Sequence, residues 1–429
     1  MKKNKFPVYK SSSSESAINF KKSTLSNGLR IVTEEVPAVE SFALGVCVNA
    51  GARDDFEMNS GLAHFVEHMA YRRTKNRTSR QIASHFESLG AYTNAFTTKE
   101  ITCLYVRALK NHFDRCLEVL SDLVFNPMYD LKDIEKERRI IIEEIKSYED
   151  DPEELIFDYA DEVLFAGHNL AKPITGTIES ISRITREDLI DFHTKMYRPE
   201  NIVLSVASSL EHELISELAE KYFAEYKINP EVSKREIYIS QESKRIELEK
   251  SFQQTHIILC RTTESILSED RFPLGLINVI LGEGMSSRLY QKLREKHGLA
   301  YSIYSNLQLL SDCGSLYIYA STDKKKTAKT EAILIEELQK LSLIENIKDK
   351  EFARAKEQVK SSSVMSLESL STRMQTLVKC EFTLGRYEDI REILQKIDSV
   401  TLDDIRRVGQ KYFDLKNQPW STVIFQPEE

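Results

Sequence analysis

Two histidines one helical turn apart, with a glutamate between them, are the most chemically specific feature of this 429-residue sequence. They lie in Gly61-Leu-Ala-His64-Phe-Val-Glu67-His68-Met-Ala-Tyr71. Imidazoles at i and i+4 project from one helical face and can share a metal ion. Zinc suits nitrogen ligands, and a hydrolytic zinc site needs a third protein ligand plus an open position for water. Glu67, beside His68, is placed to take a proton from that water. A chance His-x-x-Glu-His is expected in about one sequence in fifty of this composition, which makes a pair of ordinary surface histidines the weaker reading. Asn59 and Ser60 are the predicted helix caps. Leu62, Phe65, Val66 and Met69 fall on the opposite face and are expected to pack on the core, with the histidines and Glu67 turned to a cleft or solvent.

The third ligand must come from another element. A helix from Asp133 to Tyr148 carries Ile134, Ile141, Ile145 and Tyr148 along one stripe. Glu137 and Glu144, seven residues apart, lie near one line at the edge of that stripe, while Glu143 points about 100° away from Glu144. A solvated acidic helix would explain these glutamates if the histidine motif were missing. With the motif present, a half-buried carboxylate gains compensation from a cation, so Glu144 is the expected ligand and Glu137 an auxiliary acid.

The elements that must position these groups read as a duplication. Ser79-Arg80 and Leu89-Gly90 recur as Ser287-Arg288 and His297-Gly298, 208 residues later. Thr185, Asp188, Lys195 and Asn201 recur as Thr401, Asp404, Lys411 and Asn417, 216 residues later. The expected architecture is α+β: two homologous domains, each a β-sheet packed with α-helices. Residues 1–20 read as a flexible leader and 21–226 as the metal-binding domain. A linker with Pro230 spans 227–243, and 244–429 is a second domain without the metal motif. Strands are expected near Ser41–Ala50, Ile101–Ala108 and Thr255–Cys260, and long helices at 112–125, 131–149, 154–165, 325–341 and 349–384.

Composition narrows the function. A formal net charge of -8 argues against nucleic acid as the main partner. No apolar run approaches the about 18 residues of a membrane span. The six cysteines are scattered without a CxxC pair, so they are expected as buried free thiols in a reducing compartment. No apolar segment follows the basic start, and a cytoplasmic, bacterial-type location is expected over an organellar matrix.

These residues resemble the inverted zinc-motif peptidases, and more closely the M16 family of pitrilysin, insulin-degrading enzyme and the mitochondrial processing peptidase. That family carries His-x-x-Glu-His and a glutamate ligand 76 residues beyond the second histidine, a step that runs here from His68 to Glu144; its auxiliary glutamate falls on Glu137. Leu89-Gly90-Ala-Tyr-Thr-Asn94-Ala95-Phe-Thr resembles the family's Gly-x-x-x-Asn-Ala-x-Thr segment. The resemblance places it at a sheet edge, where extended substrate adds as a strand beside Asn94 and Ala95. Arg294 and Tyr301, seven residues apart, match the family's pair that holds substrate backbone. The likeness covers nearly the whole chain and implies the metallohydrolase fold shared by the processing peptidase and S-ribosylhomocysteine lyase. That lyase also has His-x-x-Glu-His, but it is a short single domain with a cysteine ligand, and the length and Glu144 spacing here disfavour its chemistry.

The expectation is a zinc-dependent endopeptidase that cleaves unfolded peptides in a closed chamber. The short branch of the family dimerises, so a homodimer is expected, with a processing-peptidase-like heterodimer or a non-catalytic partner subunit as the alternative. Glu154 and Asp158, one helical turn apart, fall near the acidic pocket by which the processing peptidase holds a substrate arginine. They imply a preference for basic peptides, which the net negative charge would also attract.

Overall fold

A computed structural model of the chain describes residues 19–56, 59–227, 235–239, 242–343 and 347–428. Residues 1–18 of the expected leader and most of the expected linker lie outside the described residues. Asn19 and Phe20 already belong to a strand, two residues inside the stretch read as leader.

The first half runs through strands Asn19–Thr24 (β1), Arg30–Glu35 (β2), Ser41–Val48 (β3), Tyr92–Thr97 (β4), Thr102–Leu109 (β5) and Ile202–Ser208 (β6). Its helices are Leu62–Ala70 (α1), Ser79–Ser88 (α2), Phe113–Phe125 (α3), Leu131–Glu149 (α4), Pro152–Leu164 (α5), Ile178–Arg183 (α6), Arg186–Met196 (α7) and His212–Phe223 (α8). The second half has strands Arg245–Lys250 (β7), Thr255–Thr263 (β8), Ala300–Leu309 (β9), Gly314–Thr322 (β10) and Ser421–Pro427 (β11). Its helices are Arg271–Leu281 (α9), Thr327–Ser342 (α10), Asp349–Ser366 (α11), Leu370–Leu384 (α12), Ile390–Ser399 (α13) and Leu402–Phe413 (α14), with a π-helical turn at Tyr290–Lys296.

The duplication is visible in the strand order. The first sheet runs β1-β2-β6-β3-β5-β4 and the second β7-β11-β8-β10-β9, so the two are alike apart from the extra β1. In both, one pair is parallel (β2 with β6, β7 with β11) and the remaining pairs are antiparallel. Central strands such as β6 and β10 are buried along their whole length, which explains their near-continuous apolar sequence.

Each sheet is covered on one face by its own helices and on the other by a helix from the opposite half. Ile156, Ala160, Val163 and Leu164 of α5 pack on Ile258, Tyr317, Val423 and Phe425 of the second sheet. Met374, Leu377 and Val378 of α12 pack on Val32, Ala43, Val203 and Ala207 of the first. Full burial of a large apolar side chain is worth about 1.5–3 kcal/mol, so the exchanged helices tie the halves together. The described part of the linker adds polar ties: Arg235 pairs with Asp54, and the Tyr238 hydroxyl donates to the Leu164 carbonyl.

Two expectations change here. The expected helix over 349–384 is two helices, α11 and α12, broken where Ser369 caps the second by accepting from the Thr372 amide. The cysteines are not all free: Cys47 and Cys103 face each other across β3 and β5 and form a disulfide, while Cys116, Cys260, Cys313 and Cys380 are free and buried. Direct cross-strand pairing of the two residues is a register property that their spacing in sequence does not reveal. No described helix is long and apolar enough to cross a membrane.

Candidate metal centre and cleft

The metal candidates sit on α1 and α4, which pack side by side. Leu62, Phe65, Val66 and Met69 of α1 are buried in the first core, as the face pattern requires. The helix start differs from expectation. Neither Asn59 nor Ser60 caps it: the N-cap is Gly61, in the left-handed region at φ 87°, and the Asp55 carboxylate accepts from the amides of Gly61 and Ala63 at 2.7 and 2.8 Å. A Cβ on Gly61 would lie 2.5 Å from the Thr175 carbonyl and 2.9 Å from Cα of Gly176. This close approach brings the Thr175 loop to the mouth of the same cleft.

His64, His68 and Glu144 converge. The two Nε2 atoms are 3.2 Å apart, His68 Nε2 is 3.5 Å from Glu144 Oε2, and His64 Nε2 is 3.9 Å from Glu144 Oε1. Among the described residues they form the one group of three or more His, Cys, Asp or Glu whose donor atoms come close enough together to hold an ion. Zinc-to-nitrogen distances of about 2.0–2.1 Å in a tetrahedron put neighbouring donors about 3.3 Å apart, so the donor set fits such an ion. His64 Nδ1 is buried without a hydrogen-bond partner, which leaves Nε2 as its available donor atom. Burial and the charge of His68 push His64 down to about 4. Burial works against the cationic form of His68 as well, yet the carboxylates of Glu137 and Glu144 lift it to about 9. A cation held between these groups would replace the proton that they otherwise share.

The surrounding groups hold this triad in place. Glu137 lies behind His68, with Oε2 3.1 Å from Nδ1, and is itself ion-paired to Arg72. It is 1% exposed and does not line the cleft. Glu67 lines the cleft beside the triad and accepts from the Thr97 hydroxyl at 2.6 Å. Burial raises its pKa, which makes its carboxylate a better proton acceptor. Tyr148, expected on the buried stripe, is instead 42% exposed and lines the cleft, where it meets Glu144.

β4 is the edge strand of its sheet and borders the triad. Ala95 and Thr97 line the cleft; Asn94 does not, and its carbonyl accepts from the Tyr71 hydroxyl at 3.1 Å. Glu154 and Asp158 line the cleft wall together with Phe157. Other acids nearby are already engaged: Glu153 accepts from the Tyr304 hydroxyl, and Asp161 pairs with Lys99. Arg294 and Tyr301 are not brought to the triad within the chain. Arg294 donates to the Tyr301 carbonyl at 2.9 Å, the Tyr301 ring is exposed, and neither residue lines the cleft. Arg72, Thr97 and Tyr148 are supports whose roles sequence reasoning missed. Thr97 was inside the recognised segment, but nothing in sequence connects it to Glu67.

A half-buried two-histidine, one-carboxylate donor set with a further carboxylate beside it, next to an edge strand, is the arrangement of a hydrolytic metal centre. The comparisons agree with that class. Residues 30–178 match the family model described as Insulinase (Peptidase family M16), and 183–359 match the Peptidase M16 inactive domain. YmxG of Bacillus subtilis, described as an uncharacterized zinc protease, is 33% identical over 396 residues, 92% of this chain and 95% of its own. An uncharacterized zinc protease of Mycobacterium leprae is 33% identical over 410 residues, 95% of this chain and 91% of its own. The chain belongs to peptidase family M16. Two solved structures share the fold: a protease from Helicobacter pylori (TM-score 0.88, 21% identity, 96% of this chain and all of that one), and a peptidase M16 inactive domain from Pseudomonas fluorescens (TM-score 0.89, 20% identity, 96% and 98%).

Proposed function

We propose that this chain is a zinc-dependent endopeptidase acting on extended, unfolded peptides. The observation that carries the reading is the convergence of His64, His68 and Glu144 next to Glu67, at the border of edge strand β4. The names of the relatives support zinc as the ion. Bound there, zinc supplies Lewis acidity that lowers the pKa of water and polarises the scissile carbonyl. Glu67 accepts the proton from the attacking water and returns it to the leaving amine. Thr97 holds one Glu67 oxygen and so fixes the carboxylate's orientation. Substrate adds to β4 as a further strand, which orders its backbone and excludes folded proteins.

Glu154 and Asp158 supply a site for a basic substrate side chain, supported by their place in the wall of the cleft. The active assembly is a homodimer that encloses a chamber, in which Arg294 and Tyr301 of one protomer serve the metal site of the other. That neither residue lines the cleft of its own chain supports that reading. The test of the central reading is Glu67→Gln. It should retain one zinc per chain and lose peptide cleavage by about 10²–10⁴-fold; zinc retention with full cleavage would defeat the assignment.

A further inference from the structure

The disulfide between Cys47 and Cys103 has a third sulfur beside it. Gly45 and Cys47 share one face of β3, and Cys103 of β5 lies directly opposite Cys47. That face is covered by α12, from the second half. The Ser205 hydroxyl of β6 donates to the Met374 carbonyl at 2.8 Å and holds this turn of α12 against the sheet. A Cβ on Gly45 would lie 2.5 Å from Met374 Sδ and 3.2 Å from the Sγ atoms of both Cys47 and Cys103. Three sulfurs from three elements therefore surround one point, and a glycine at 45 leaves that point open. Glycine inside a strand weakens it, and it often marks a place where a ligand or another group must approach closely.

The surroundings leave sulfur as the available donor chemistry. Cys47, Cys103 and Met374 are buried, and they pack among Val32, Ala43, Val203, Ala207, Leu377 and Val378. Among the described residues, no His, Asp, Glu or further Cys joins the cysteine pair. Thiolate and thioether ligands select soft ions, Cu(I) above all, whereas structural zinc takes four donors and hard cations take oxygen. Cys47 also lines a cavity of about 560 Å³ between the halves, bounded by Phe96 and Ile101 on one side and Leu307 and Val378 on the other. That cavity gives an ion a route to the sulfurs.

We infer that Cys47, Cys103 and Met374 form a three-sulfur site for a soft monovalent ion of the Cu(I) class once the disulfide is reduced. A dithiol reductant supplies two electrons and two protons, opens the S–S bond to two thiols, and leaves as its own disulfide. Cu(I) then bonds both Sγ atoms and Met374 Sδ, and the two thiol protons pass to solvent. Copper keeps its oxidation state throughout. The ligands come from both halves, so the bound ion ties α12 to the first sheet.

The test uses the zinc-loaded full chain without oxygen. Treatment with a dithiol should raise the thiol count in denaturant from the four free cysteines to all six. With the dithiol removed, Cu(I) supplied from a chelator buffer should bind at one ion per chain and leave the zinc in place. X-ray absorption should show only sulfur neighbours at copper, and Tm should rise. The oxidised chain and Cys47→Ser should take up none. Met374→Leu keeps the volume and both thiols, and it should weaken binding about 10–100-fold, the range for groups that tune a metal site. Cys380→Ser, a control for the other buried thiols, should leave the affinity unchanged. A disulfide that resists the dithiol, no uptake by the reduced chain, nitrogen or oxygen neighbours at copper, or equal uptake by the oxidised chain or by Cys47→Ser would overturn the site. Unchanged affinity in Met374→Leu would overturn the three-sulfur assignment.

Discussion

Glu137 Oε2 lies 3.1 Å from His68 Nδ1, on the side of the imidazole away from His64 and Glu144. The contact sets which ring nitrogen carries the proton and leaves Nε2 free to face the ion position. Glu137→Gln keeps the shape but removes the charge, so zinc affinity should fall about 10–100-fold. Turnover of the zinc-saturated variant should fall much less. Chelator competition measures the first and cleavage under excess zinc the second; unchanged affinity would remove Glu137 from this role.

Glu143 and Glu144 are neighbours with opposite fates. Glu143 is exposed and pairs with Lys146, while Glu144 meets the two histidines. Glu143→Gln should therefore leave zinc content and cleavage within about twofold, since an exposed pair is worth about 0–1 kcal/mol. Glu144→Gln should lose most bound zinc. Metal analysis of the two purified variants after dialysis separates them directly.

Asp158 is raised to about 6 by burial. Lys99 opposes that shift, while Glu154 and Asp161 add to it. A raised carboxyl is neutral below its pKa and charged above it, so any preference for a cationic peptide should be lost as pH falls through about 6. The ratio of kcat/KM for matched arginine and citrulline peptides, taken at pH 5.5 and 7.5, isolates this effect from the general loss of activity in acid. In Asp158→Asn the ratio should be flat across that range. A pH-independent ratio in the unmodified chain would rule Asp158 out.

Leu377 belongs to the second half by sequence and to the first core by packing, where it is 1% exposed. Leu377→Ala should cost about 2–5 kcal/mol. Urea denaturation should show the loss in the transition that reports on the first half. A loss confined to the second half would contradict the exchanged-helix arrangement.

If Arg294 and Tyr301 serve the partner's site, two inactive variants should complement each other. Glu67→Gln mixed with Arg294→Ala should regain up to about a quarter of the native activity by random pairing of subunits. No recovery, with mixed dimers demonstrated by native mass spectrometry, would place the pair elsewhere.

Much of the site was legible because it depends on local periodicity. Helical spacing alone puts His64 and His68 on one face, and a seven-residue step does the same for Glu137 and Glu144. The duplication was legible because its matches keep their order along the chain, and the two strand orders reproduce it. The helix cap was misread because the acceptor, Asp55, reaches the amides of α1 from outside the usual cap position. The division of 349–384 was misread because an amphipathic pattern continues across the break at Ser369.

The sequence by itself determined which residues could bind a metal, which half carries them and that the halves are copies, since these follow from residue type, spacing and order. Only the tertiary structure decided that α1 and α4 bring His64, His68 and Glu144 together, that Thr97 holds Glu67, and that α5 and α12 cross between the halves. It also decided that Cys47 opposes Cys103. Such contacts are set by how apolar faces stack and how strands register. Those are long-range choices, and local spacing carries no information about them.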